Sequence, residues 1–191
     1  MTQPPMEPVV ATPGPDEHRH TFDSGAALRD GLVVVAVLVV GGLVAGVVWA
    51  QLVDPVVATR SAAGVASPES ELVKQVAADG WFAVLGFGLC LVTGLALTWW
   101  RRRDELVTLF ALTVGSLLAA WVCATLGAVL GPEPAVEALA EASEGEQAPD
   151  QLQVSAATAY LAWPTGAVLG NVIVLLGVRG SHRPRPRPVV Q

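Results

Sequence analysis

The residue types that could do chemistry are few in this sequence, and they are widely spaced. Two histidines, His18 and His20, flank Arg19 near the start, and a pair of imidazoles can bind a metal or respond to pH near neutrality. The two cysteines, Cys90 and Cys123, lie in separate apolar stretches, where a thiol packs as a small, soft side chain. We predict neither a metal site nor a disulfide from these residues.

Acidic residues cluster in the segment 131–153, and clustered carboxylates can hold a divalent cation. However, Glu141, Glu144 and Glu146 lack the alternating oxygen ligands and the turn glycine of a dedicated calcium loop. The sequence also lacks a phosphate-binding Gly-Lys loop, zinc-ligand spacing and a nucleophile elbow. We therefore expect no catalytic residue, no cofactor and no metal, and we predict that the protein is not an enzyme.

The composition also argues against a soluble enzyme. Of the 191 residues, 52% are hydrophobic and 15% are charged, whereas soluble domains carry about 25% charged residues. A disordered chain would be poor in apolar residues. The formal net charge of −6 argues against a nucleic-acid partner, because phosphate contacts need a basic surface.

Four apolar stretches are long enough to cross a bilayer, which takes about 20 residues in a helix. They cover residues 31–53, 80–100, 106–130 and 154–178, and none contains Asp, Glu, Lys, Arg or His. In lipid, a helix satisfies every backbone group within one segment. The predicted fold is all-α: a polytopic membrane protein whose domain 31–178 is a four-transmembrane-helix bundle. A disordered, Pro-rich tail is predicted at 1–30 and a basic Arg-Pro tail at 179–191.

The basic residues predict the orientation, because they stay on the cytoplasmic side. With the N-terminus inside, the cytoplasmic segments hold nine of the eleven basic residues, and the loops 54–79 and 131–153 hold ten acidic ones. We predict that both termini are cytoplasmic and that the protein is a multi-pass component of the plasma (inner) membrane. The residues expected to fix this topology are Arg101, Arg102, Arg103, Arg179 and Arg183.

Each predicted span carries a stripe of small residues, which lets helices approach closely in lipid. The predicted packing positions are Gly42, Gly46, Gly86, Gly94, Gly115, Ala119, Gly127, Gly166 and Gly170. One interpretation is packing within the bundle, and the other is docking of a partner or a second copy on the Gly42/Gly46 stripe. Asn171 has an amide that needs hydrogen-bond partners, and we expect it to fasten the fourth span to a neighbour.

Aromatic residues offer a test between two functions. Trp121 and Trp163 each lie about nine residues inside their spans, near 13 Å deep, and we expect them to make an internal contact. If these two side chains and Tyr160 line a cavity, transport is favoured. If they pack without a cavity, a scaffold is favoured.

The two acidic loops have similar outlines. Each begins near a proline, Pro55 or Pro132, and leads into an incoming span with a basic stop, which hints at two tandem hairpins. In the first loop, Ser67 and Pro68 predict the start of a short helix. The apolar strip of this helix consists of Leu72, Val73 and Val76. We expect the strip to lie on the bilayer or on the other loop. In the second loop, residues 135–142 are predicted to be helical and 143–150 flexible.

A longer pattern surrounds the second span. Residues 79–86 read Asp-Gly-Trp-Phe-Ala-Val-Leu-Gly and run on to Trp100 and three arginines, with Trp49, Asp54 and Pro55 before them and Leu-Ala-Trp-Pro at 161–164 after them. In these features the chain resembles a family of small actinobacterial four-span membrane proteins, known only as a domain of unknown function. The resemblance covers residues 31–178 and implies the inner membrane of a high-GC Gram-positive bacterium, but it supplies no activity and no catalytic residues. The excess of Arg, Ala and Gly over Lys, Ile and Asn is typical of a high-GC genome.

Two functions remain open from the sequence. The first is a non-enzymatic accessory or interaction subunit, whose partners are the lipid bilayer and another membrane protein or a second copy. The alternative is a small transporter or permease-like component. Transport coupled to ions usually needs ionisable groups within the membrane, and the four predicted spans have none.

Overall fold

The computed structural model describes residues 24–100 and 105–180. Within those ranges, four helices are long and apolar enough to cross a membrane, as the uncharged stretches predict. The helices, including one short helix in a loop, are α1 Ser24–Leu52, α2 Leu72–Trp100, α3 Glu105–Leu130, α4 Ala135–Ala138 and α5 Ala162–Gly180. The predictions for the tail at 1–23, for Arg101, Arg102 and Arg103, and for Arg183 lie outside the described residues.

Helix α2 is longer than its membrane span. Its 29 residues extend about 44 Å, and the hydrocarbon core is about 30 Å thick. Lys74 and Asp79 lie in its first two turns, before the uncharged stretch that begins at Gly80. We therefore take the part of α2 before Gly80, and the 3-10 turn Glu69–Glu71 that leads into it, as lying outside the hydrocarbon.

Helices α1 and α3 form one close pair. A β carbon added to Gly42 would lie 2.5 Å from the carbonyl oxygen of Ala119, and one added to Gly46 would lie 3.0 Å from that of Cys123. These contacts advance in the same direction along both helices, so the two helices run parallel. The stripe on α1 is thus covered within the bundle, and its interpretation as a docking face for a partner is wrong.

Two further glycines of α3 contact α1. Gly127 faces the ring of Trp49. Gly115 lies against Val35, where an added β carbon would be 3.2 Å from the Val35 α carbon. The absence of a side chain at these positions lets the two backbones approach, which is how helices associate when lipid supplies no hydrophobic driving force between them.

Helices α2 and α5 form the second close pair. An added β carbon at Gly94 would lie 2.5 Å from the carbonyl oxygen of Ala167. One at Gly170 would lie 2.5 Å from that of Leu91. Gly166 faces the backbone of Phe87, and Gly86 faces the indole of Trp163. This pair is also parallel, because the contacts advance together along the chain.

Each close pair joins a helix of the first hairpin, α1 and α2, to the equivalent helix of the second, α3 and α5. Gly42 and Ala119 are 77 residues apart, as are Gly46 and Cys123, and Gly86 and Trp163. Pro55 and Pro132, which follow α1 and α3, have the same separation. Equivalent positions therefore contact each other, as they do across a two-fold axis. This arrangement agrees with the two tandem hairpins predicted from the loop outlines.

The loops differ from the all-α prediction, because they contain a small antiparallel sheet. Its strands are β1 Val57–Ser61, β2 Gly64–Ala66 and β3 Gln147–Pro149, in the spatial order β2-β1-β3. Strand β3 lies in the segment 143–150 that was predicted to be flexible. That prediction is wrong, because β1 supplies the backbone partners that the isolated segment lacks.

The helix predicted from Ser67 is not a separate element. Pro68 precedes the turn Glu69–Glu71 without a side-chain cap, and this turn continues directly into α2. The apolar strip of Leu72, Val73 and Val76 is exposed and does not lie on the other loop. In the second loop, only α4 forms within the helical stretch predicted at 135–142. Likewise, α1 begins at Ser24, inside the tail predicted to be disordered.

Candidate functional site

Both long loops meet at one end of the bundle and form a single structure, which we call the cap (residues 54–71 and 131–156). Strand β1 pairs with β3 in the register Val57↔Pro149 and Thr59↔Gln147. The pairing continues on both sides of the strands: the amide of Arg60 donates to the carbonyl of Glu146 at 2.9 Å, and that of Asp150 donates to Val56 at 2.7 Å. The two loops, although distant in sequence, are therefore held at fixed relative positions.

A small core lies beneath the sheet. Ala58, Ala135 and Leu139 are buried against one another. The guanidinium of Arg60 donates to the carbonyl oxygen of Leu139 at 3.2 Å. This basic side chain thus ties β1 to the end of α4.

Two acidic side chains hold the second loop in place by accepting backbone hydrogen bonds. Asp79, on α2, accepts from the amide of Ser155 at 3.0 Å, from its hydroxyl at 2.9 Å and from the amide of Ala156 at 2.9 Å. It thereby holds the two residues that precede the 3-10 turn Ala157–Leu161, which leads into α5. Asp150 accepts from the amide of Ala135 at 2.9 Å, at the start of α4. Bonds of this kind satisfy amides that a helix start leaves open.

A third acidic side chain holds the first loop. The carboxylate of Glu71 accepts from the Val57 amide at 3.1 Å and from the Lys74 ammonium at 2.8 Å. The hydrogen bond from Lys74 lowers the pKa of Glu71, and the Val57 amide lowers it further. Glu71 therefore stays ionised and links the start of β1 to the start of α2.

Beneath the cap, four aromatic rings fill the space between the two helix pairs. The ring of Phe82 lies 5.6 Å from that of Trp49, 5.2 Å from that of Tyr160 and 5.4 Å from that of Trp163. The Trp49 indole donates to the carbonyl of Ala78 at 3.0 Å. Trp49, Phe82 and Trp163 are fully buried. Aromatic pairs prefer such edge-to-face and tilted arrangements.

The predicted contact of Trp121 is wrong. Its side chain is 63% exposed on the outer surface of the bundle, whereas Trp163 is buried. Trp121 lies two residues beyond Ala119, which faces α1, and two residues turn about 200° around a helix. Trp121 must therefore point away from the bundle. Within the part of the chain that the structure describes, the Trp163 indole nitrogen is the one buried side-chain polar atom without a hydrogen-bond partner.

The predicted packing residue Asn171 contacts the partner helix of α5. Its amide nitrogen donates to the hydroxyl oxygen of Thr98 at 3.0 Å, and both side chains are buried. This bond links α5 to α2 at the end of the bundle far from the cap. Arg179 lies in the last turn of α5. Both cysteines are free thiols, and both are buried.

Two small openings near the cap are lined by described residues alone. One, of about 70 Å³, is polar, and among its lining residues are Asp54, Ser67, Gln75, Asp150, Gln151 and Gln153. The other, of about 140 Å³, lies between the end of α1 and the start of α2. Across residues 24–100 and 105–180, no group of three or more His, Cys, Asp or Glu side chains could hold a metal ion.

No family model matches this chain, and comparisons with curated proteins and with solved structures return no match. The resemblance to a small actinobacterial family therefore stays a prediction.

Sequence reasoning identified neither Phe82 as the centre of the aromatic layer nor the bonds made by Asp79 and Asp150. Sequence reasoning placed Asp79 only among the acidic residues of the first loop. Its partners could not be predicted, since Ser155 is 76 residues away.

Proposed function

We propose that the protein is a multi-pass component of the plasma (inner) membrane that acts without catalysis, as an accessory or interaction subunit. Both termini are cytoplasmic in this proposal, and the cap faces the other side. The observation that carries the proposal is the construction of the cap. Two loops, each joining two spans, form one three-stranded sheet and so present a defined surface.

The acidic residues of this end fall into two groups. Glu71, Asp79 and Asp150 hold the loops by the hydrogen bonds described above. The others are exposed, and they are Asp54, Glu69, Glu133, Glu137, Glu141, Glu144 and Glu146. A surface with these negative charges attracts a partner with a basic surface and raises the rate at which the two meet.

The aromatic layer supports the accessory function over transport. The transporter alternative called for Trp121, Trp163 and Tyr160 to line a cavity. Instead, Trp163 and Tyr160 pack on Phe82 at 5.4 and 5.2 Å, and Trp121 faces outward. The rings fill the space at the depth where a path between the two hairpins would begin.

The test is native mass spectrometry of the full chain, expressed at its natural level and purified in mild detergent. We compare it with a variant that combines Glu137→Gln, Glu141→Gln and Glu144→Gln, and with a control, Glu105→Gln, at the start of α3. We expect one stoichiometric partner on the wild type and the control, with a several-fold lower occupancy on the triple variant. A chain that is alone at every salt concentration, and that small solutes stabilise against heat, would contradict the proposal and favour transport.

A further inference from the structure

The larger opening is a groove between the end of α1 and the first turns of α2. Its volume is about 140 Å³, and a water molecule needs only about 10–15 Å³. The groove therefore has room for a group of several heavy atoms. Its lining residues are Leu52, Val53, Asp54, Lys74, Ala77 and Trp81.

The groove lies at the boundary of the hydrocarbon core. Leu52 is the last residue of α1, and Asp54 is the first charged residue after that span. On α2, Trp81 is the second residue of the uncharged stretch. Tryptophan is enriched at this level, where its ring meets lipid and its N–H meets the headgroups. A ligand in the groove is thus in contact with headgroups and acyl chains at once.

The charges of the groove are of both signs. Lys74 supplies an ammonium with three N–H donors, of which one is used by Glu71 at 2.8 Å. Asp54 supplies an exposed carboxylate. Because Glu71 already neutralises Lys74, the three groups together carry one negative charge. This balance disfavours an anionic headgroup and favours one that has an amine as well as a phosphate.

The apolar walls continue toward the membrane. Leu52 is 48% exposed and Trp81 is 45% exposed. Val84, almost one turn further along α2, is also exposed. An acyl chain that leaves the groove can therefore follow this face of α2.

From this geometry we propose that the groove binds one membrane phospholipid with a zwitterionic, primary-amine headgroup of the phosphatidylethanolamine class. The headgroup ammonium pairs with Asp54, the phosphate accepts the free N–H groups of Lys74, and an acyl chain packs on Leu52 and Trp81. The inference rests on the membrane location proposed above but not on the accessory function.

The experiment uses the full chain in nanodiscs that contain equal amounts of phosphatidylethanolamine, phosphatidylcholine and phosphatidylglycerol. The protein is released from the nanodiscs, and native mass spectrometry identifies the lipid that it retains. We expect phosphatidylethanolamine to be retained in preference to both others, because choline cannot donate N–H bonds to Asp54. Asp54→Asn and Lys74→Gln should each lower its retention about five-fold, the factor that corresponds to ~1 kcal/mol per charge near a lipid surface. The control Glu105→Gln, at the start of α3 and outside the groove, should leave it unchanged.

Three outcomes would overturn the proposal. The first is equal retention of the three lipids, and the second is the same loss of lipid in the control as in the groove variants. The third is displacement of the lipid by millimolar glycerophosphoethanolamine or inorganic phosphate, which would assign the site to a soluble ligand. Melting temperatures in detergent identify a variant that has lost its fold, and Asp54→Asn then carries the test, because it leaves the Lys74–Glu71 bond intact. Extraction of the protein by alkaline carbonate would contradict the membrane location itself, separately from lipid selectivity.

Discussion

The contact between α1 and α3 predicts that alanine is less well tolerated at Gly42, which lies in that contact, than at Gly88 of α2, which lies outside it. Gly42→Ala adds a methyl group at a point 2.5 Å from the carbonyl oxygen of Ala119 and 2.9 Å from its α carbon. Backbone atoms cannot move aside as a flexible side chain can, so the helices must separate. Gly88→Ala is the matched control, because no atom lies within 4 Å of the added carbon.

The magnitude follows from two opposing terms. Alanine in place of glycine favours a helix by about 1 kcal/mol at either position, so this term cancels between the variants. Forcing an extra methyl group into a tight contact costs about 1–3 kcal/mol. We therefore expect Gly42→Ala to be less stable than Gly88→Ala by about 1–3 kcal/mol.

The assay is thermal unfolding of both variants in the same mild detergent, followed by the loss of monodisperse protein. Each kcal/mol corresponds to about 2–4 °C for a chain of this length. Gly94→Ala, whose added carbon would lie 2.5 Å from the carbonyl oxygen of Ala167, should lower the melting temperature in the same way. Equal melting temperatures for Gly42→Ala and Gly88→Ala would refute the close parallel pair.

Three further predictions concern single contacts. Asp79→Ala removes the acceptor of three hydrogen bonds and should lower the free energy of unfolding by about 1–2 kcal/mol, measured in the same assay. Asn171→Ala and Thr98→Val should each destabilise the bundle, with a coupling of about 0.6 kcal/mol in a double-mutant cycle; purely additive losses would argue against their bond. Cysteines at Gly31 and Ala111 should form a disulfide on mild oxidation in membranes, because a β carbon at Gly31 lies 3.8 Å from that of Ala111; a pair that stays reduced would contradict the register.

The four spans could be predicted because the physics behind them is local. A run of about 20 residues without charge can satisfy its backbone in lipid only as a helix or within a closed barrel, whatever lies beside it. The choice of partner helix is not local. All four stripes repeat small residues at similar spacing, and nothing in Gly42 or Gly94 itself says which backbone will face it. That choice depends on where bulky side chains such as Trp49 and Trp163 find an open glycine.

The sheet could not be predicted, because its strands are short. Three to five residues without clear alternation are a weak signal. The turn between β1 and β2 also lacks the Asn-Gly or Asp-Gly pair that usually marks a hairpin. Among the described residues, two glycines have a positive φ, Gly64 at 124° and Gly145 at 91°. Glycine at these two positions is the signal that the turns beside the sheet leave in the sequence.

The measurement that tests the account most directly is labelling of single cysteines by an impermeant reagent in intact cells, in a chain whose Cys90 and Cys123 are replaced by alanine. Ser67 and Ser143 are exposed and lie in the two loops that form the cap. We predict that Ser67→Cys and Ser143→Cys are both labelled, and that Ser181→Cys is labelled only after the membrane is opened. Labelling of one loop position without the other would contradict the four-span bundle and its cap, and labelling of Ser181→Cys alone would reverse the orientation.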